Sequence, residues 1–207
     1  MLLYPLLCFA WLLPSVLSYT SLSDASLRGL PDPGTDFDIH DGALLAPILQ
    51  PRVPGTPGST AVLTHFVNFF RQSLPDWSIS FQNSSSTTPT SEGVEIPFVN
   101  LIATRDPPWA EPGSVGRLAL VAHYDSKLTP IGFIGATDSA APCAMIMHAG
   151  RSIDEALTKK WENMANEGVG DGGFDGIEDH KGVQILLLDG EEAFLSWTDT
   201  DSTYGAR

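Results

Sequence analysis

Apolar residues recur along the chain with two different periods. In "AVLTHFVNFFRQSL", Val62, Leu63, Phe66, Phe69, Phe70 and Leu74 fall three and four apart, which predicts a helix burying one stripe. Ser59 or Thr60, at the end of the Pro/Gly-rich "RVPGTPGST", is placed to cap it. "WSISF" alternates as a strand does, and "FVNLIAT", "LALVAHYD" and "VQILLL" read as further strands. The runs "LALVA" and "VQILLL" are continuously apolar, which predicts central strands covered on both faces. A second long helix is expected after Asp138, in "SAAPCAMIMHAGRSIDEAL", with Pro142 tolerated in its first turn.

Polar stretches divide these elements. "QNSSSTTPTSEG" predicts a flexible loop, and "RDPPWAEPGSVG" is turn chemistry throughout. "NEGVGDGGFDGIEDHKG" reads as an exposed insertion, since it lacks the ligand spacing of a calcium loop. A turn-rich lead, residues 19–51, carries a short helix near its end. Helices alternating with strands give the α/β class, with a mixed, largely parallel central sheet flanked by helices. In such sheets the site forms just beyond the carboxyl ends of the strands.

Composition narrows the picture. The 207 residues are 43% hydrophobic and 17% charged, enough for one globular domain with a core. A net charge of −14 repels phosphate and excludes a nucleic-acid partner. Residues 1–18 are apolar, uncharged and end in small residues; Val16 and Ser18 fit cleavage before Tyr19, so a signal peptide is expected. Secretion, or passage through the secretory pathway, follows, with no stable membrane insertion after cleavage. Asn83-Ser84-Ser85 then becomes a glycosylation acceptor in the polar loop. Cys8 leaves with the signal, and Cys143 is read as a small buried hydrophobe on a helix. His65, beside the apolar stripe, is read as a packed histidine rather than a ligand.

Three polar clusters sit at strand ends: "HYDSK" (123–127), "GATDSA" (135–140) and "DGEEAF" (189–194). Each alone could be loop polarity or helix capping. Together, carboxylates and an imidazole converging at one sheet end suit a divalent metal, and zinc accepts that mixture. The adjacent side chains of Glu191 and Glu192 should diverge. One can then ligate while the other moves a proton.

These segments, "LVAHYDSK", "GATDSAAPCAM" and "LLLDGEEAFLSWTDTDSTYGAR", with "RVPGTPGS" upstream, resemble the glutaminyl cyclases, zinc enzymes related to the M28 aminopeptidases. The resemblance runs in order from about Arg52 to Arg207, and so marks 52–207 as the catalytic domain. It implies a zinc exopeptidase-like three-layer sandwich, one bound zinc, substrate peptides beginning with Gln, and conversion of that Gln to pyroglutamate with release of ammonia. It implies Asp138 and Glu192 as zinc ligands, Glu191 as the proton shuttle, and Trp197 as a wall of the substrate pocket. Without the family match, Trp197 would be read as an ordinary core aromatic. Ser139, Lys127 and His123 are expected to support the ligands without binding metal themselves. A monomer is expected.

The chain departs from the family pattern in two places. Many relatives bridge the residue before the "HYDSK" histidine to the cysteine of "PCAM"; here Ala122 stands there and Cys143 has no such partner. Such a disulfide contributes about 2–4 kcal/mol. The resemblance also implies a third zinc ligand, a histidine downstream of Arg207. None of His40, His65, His148 or His180 sits in a motif to replace it. The chain is therefore expected to be truncated at its C-terminus, and inactive as it stands. Two other readings stay open: an M28-type zinc aminopeptidase, which usually carries Asn where Ser139 stands, and a truncated, non-catalytic secreted protein.

Overall fold

The computed structural model describes residues 21–30, 32–111, 113–166 and 181–207. The expected signal peptide (1–18), Cys8, and most of the Gly/Asp-rich insertion with His180 lie outside the described residues. The chain divides into two units, Met1–Asp32 and Pro33–Arg207. In the first, helix α1 (Asp24–Arg28) is capped by Ser23, whose Oγ accepts the Ser26 amide at 3.1 Å, and none of its residues is buried. The second unit holds everything else.

Helix α2 (Pro57–Ser73) starts earlier than expected, because Thr56 is its cap and Pro57 its first residue. Proline needs no amide partner there, and its fixed φ suits a first turn. Val62, Phe66, Phe69 and Phe70 are buried as the stripe requires, and Leu74 follows at 1% exposure. Helix α3 (Ala141–Asn166) buries Cys143, Ala144, Met147, Gly150 and Trp161. It outruns its expected end, and its last turns carry Trp161 under the Arg105 guanidinium, 5.0 Å from the ring centre.

Among the described residues, four strands form one sheet in the order β1-β2-β4-β3: β1 (Ser78–Ser86), β2 (Ile96–Arg105), β3 (Gly116–His123) and β4 (Lys181–Leu188). β1 pairs antiparallel with β2, and β2 antiparallel with β4; only β3 and β4 run parallel. The sheet is mixed, as expected, but less parallel than expected among the described strands. β1 extends through Ser86, so "QNSSS" is strand rather than loop, held by a register that pairs Asn83 with Val99 and Ser86 with Ile96. Backbone pairing to an apolar partner strand overrides the polarity of the segment. Asn83 is exposed there, on the strand at one margin of the sheet.

Leu101, Ala103, Ala122, Val183, Ile185 and Leu187 pack with α2, α3 and Leu44, Leu45 and Ile48 in one core. Phe66 meets Tyr124 edge-on at 5.5 Å inside it. Alternate residues point to the opposite face, where Ile102, Leu186 and Leu188 are half-buried and Val121 is 50% exposed. The continuous apolar runs predicted cover on both faces; among the described residues, the helices pack on the Leu187 face alone.

Candidate active site

Because β3 and β4 are parallel neighbours, with His123 paired to Leu188, their carboxyl ends open on the same side of the sheet. β3 ends at His123, and the loop after it carries Asp125 and Lys127, then returns through the irregular turn Ala136–Ala140 into α3. Gly135 opens that turn at φ +46°, and a Cβ there would lie 2.3 Å from the Asp138 carbonyl oxygen, so only glycine fits. After β4, Gly190 turns the chain at φ +69°, where an added Cβ would lie 2.3 Å from the Phe98 ring. Glu191 and Glu192 follow directly.

The side chains converge on His123. Its Nε2 lies 2.9 Å from Asp138 Oδ1 and 3.8 Å from Glu191 Oε2, while Nδ1 lies 3.1 Å from Asp125 Oδ1. Ser139 Oγ donates to Asp138 Oδ1 at 3.2 Å. Lys127 Nζ stands 3.6 Å from Glu192 Oε2. One ligand atom each from His123, Glu191 and Glu192 lies within 4.8 Å of the others. Asp125 accepts the amides of both glutamates, at 3.1 and 2.9 Å, and so fixes the backbone from which their side chains leave.

Electrostatics follow from this crowding. Burial disfavours the imidazolium of His123, but Asp125, Asp138 and Glu191 outweigh it and raise its pKa to about 9. Asp138 is held below the usual carboxylate range by its hydrogen bond with His123. Burial pushes Glu191 and Glu192 upward. Glu192 is 5% exposed, and its Oε1 is buried with no hydrogen-bond partner among the described residues. A buried carboxylate oxygen without a donor is costly, and a cation would satisfy it. The donors, one imidazole and several carboxylates, are of the type that zinc accepts. By this test the residues fit a divalent metal.

Of the residues singled out in the sequence, His123, Lys127, Asp138, Ser139, Glu191 and Glu192 come together. His123, expected to support the ligands, places a ring nitrogen within 4.8 Å of a carboxylate oxygen of each glutamate. Trp197 is 58% exposed, so it is no core aromatic. Its loop is held by Asp201, which accepts the amides of Phe194, Leu195 and Ser196 at 3.0, 2.9 and 2.8 Å and the Tyr204 hydroxyl at 2.7 Å. Cys143 is free and buried, and its Sγ donates to the His123 carbonyl at 3.2 Å, linking the same two elements that a disulfide would join. His65 packs as expected, its ring nitrogen 3.3 Å from the Leu44 carbonyl oxygen.

Asp125, Asp201 and Arg52 have no role assigned from the sequence. For Asp125 a signal existed: it stands two residues after His123, immediately beyond a strand. The other two act across the fold, where spacing carries no signal.

Residues 100–207 match Peptidase family M28. The glutaminyl-peptide cyclotransferase of Bos taurus is 35% identical over 190 residues, covering 90% of this chain and 47% of that relative. The crystal structure of Macrostomum lignano glutaminyl cyclase superposes with a TM-score of 0.61 at 32% identity, covering 87% of this chain and 45% of the other. A Zn-dependent exopeptidase from Parabacteroides distasonis has a similar fold, with a TM-score of 0.54 at 18% identity, covering 84% of this chain and 53% of the other. The chain spans between 38% and 48% of the length of the curated relatives it matches.

Proposed function

The chain belongs to peptidase family M28, and from that premise we propose that it serves as a zinc-dependent glutaminyl-peptide cyclotransferase of the secretory pathway. The observation that supports this most is the convergence of His123, Glu191 and Glu192 within 4.8 Å, with Asp138 bonded to the same imidazole. The similar relatives carry the cyclotransferase name, which favours cyclisation over peptide hydrolysis.

Asp138 and Glu192 would hold the metal, with His123 beside them. Bound there, zinc supplies Lewis-acid polarisation of the substrate's γ-carboxamide. The substrate's free α-amine forms a bond to Cδ, the carboxamide carbon of its own Gln side chain, and the bond from that carbon to the amide nitrogen breaks. Glu191 takes the proton the amine loses and delivers it to the departing nitrogen, which leaves as ammonia. Its raised pKa brings the carboxylate nearer to neutrality, where one group can both accept and return a proton. Holding amine and carbon together removes the entropy of their encounter. Trp197, exposed on the loop fixed by Asp201, offers an apolar face to the peptide. Ser139 orients Asp138, and Lys127 partly neutralises Glu192.

The test is mass spectrometry of a Gln-initiated and a Leu-initiated peptide after incubation with the native protein and zinc. Loss of ammonia from the Gln peptide alone is expected. Removal of the first residue from both peptides would instead make the protein an aminopeptidase.

A further inference from the structure

Arg52 is fully buried, yet among the described residues no carboxylate lies within ion-pair distance of it. Its guanidinium spends its donors on backbone. Nε donates to the Tyr124 carbonyl, one terminal nitrogen to Ile134 and also, at 3.3 and 3.4 Å, to Ile48 and Gln50, and the other to Gly135 at 2.9 Å. The Arg52 amide donates to Ser126 Oγ at 3.0 Å. Burying a cation is unfavourable unless something compensates it. Burial lowers the Arg52 pKa, and the charges of Asp125, Asp138 and Glu192 work against that loss.

The carbonyls it holds are not scattered. Tyr124 and Gly135 are the two ends of the loop that leaves β3 and returns to α3. Tyr124 immediately precedes Asp125, which binds His123 and caps both glutamates. Gly135 lies three residues before Asp138. A rigid planar fork bonded to both ends sets the distance between them, which a flexible lysine could not do.

We propose that Arg52 is a positioning residue: by clamping both ends of the 124–135 loop it fixes Asp125 and Asp138 relative to each other, and through Asp125 the two glutamates. The inference rests on the acid cluster being the functional site, so its test reads backbone position, with or without bound metal.

Hydrogen exchange is measured at the Glu191 and Glu192 amides in the wild type, Arg52→Met, Arg52→Lys and Arg105→Met. Arg105 is the matched control. It too is buried and is bonded to Asp76, Asp154 and Thr158, but it ends β2, which runs antiparallel to β4, so it lies at the far end of the sheet. Arg52→Met is expected to speed exchange at both glutamate amides by at least about tenfold, whereas Arg105→Met leaves them unchanged. Arg52→Lys should also speed exchange, because it keeps the charge but loses the fork; it decides the question if Arg52→Met does not fold. Unchanged exchange in the Arg52 variants, or an equal rise in Arg105→Met, would overturn the proposal. Zinc titration of the same proteins separates the two ideas: a wild type that takes up no zinc sinks the metal function, while the exchange result still decides the role of Arg52.

Discussion

The buried carboxylate of Asp125 receives the Glu192 amide hydrogen at 2.9 Å, across 67 positions of sequence. Its other oxygen takes the Glu191 amide and also meets His123. One fully buried side chain thus holds the end of β3 and the end of β4 in a single arrangement. These three contacts take up three of the roughly four acceptor positions a carboxylate offers.

Replacing Asp125 with Ala strands two amides at the base of the site. We expect a loss of about 2–4 kcal/mol in urea unfolding, from about 1–3 kcal/mol for each buried donor left without a partner. Asp125→Asn should lose less, since its amide oxygen still accepts.

Glu191 and Glu192 should separate in their roles. Glu192→Ala is expected to weaken zinc binding beyond the ~10–100-fold seen when an outer partner of a ligand is lost. Glu191→Gln should bind zinc nearly as the wild type does, while turnover by the native enzyme falls about 10²–10⁴-fold. Competition with a chromophoric chelator and ammonia release read the two effects apart. Equal loss of zinc in both variants would contradict the division.

Asp201 predicts an acid dependence. Burial resists its ionisation, but the Ser196 amide, the Tyr204 hydroxyl and the Phe194 and Leu195 amides outweigh that and lower its pKa. A carboxylate whose folded pKa lies below the unfolded value of about 3.9 contributes stability fully above that pH, and the contribution fades as pH falls through the folded value. Asp201→Asn should therefore be less stable than the wild type at neutral pH. The gap should narrow below about pH 4, the unfolded carboxylate range, in unfolding curves taken across pH.

Burial raises the Cys143 thiol to about 12. The thiolate is the reactive form, so iodoacetamide should leave Cys143 unmodified in the folded protein and label it fully in denaturant. Peptide mass spectrometry checks this. Rapid labelling without denaturant would show that α3 does not seal the thiol.

Asn83 tests the secretory reading. Expressed through the secretory pathway, the protein should carry a glycan there, visible as a shift on glycosidase treatment that Asn83→Gln abolishes. The residue is exposed on β1, which among the described residues has a strand on one side only.

Much of this was legible in the chain. The stripe of Val62, Phe66 and Phe70 and the run from Val183 to Leu188 are local periodicities, and local periodicity dictates a helix or a strand wherever one face must be buried. The motifs around Asp138 and Glu191-Glu192 are short, so their residues could be named before their positions were known. The polar tail of β1 could not be read this way, because its strand character comes from pairing with Ile96 to Val99. Nor could the clamp of Arg52 on Tyr124 and Gly135, or the grip of Asp125 on both glutamates, at separations of 66 to 83 residues. A buried charge finds its partners only when strands and loops close around it, and nothing in residue spacing says which carbonyls or amides those will be.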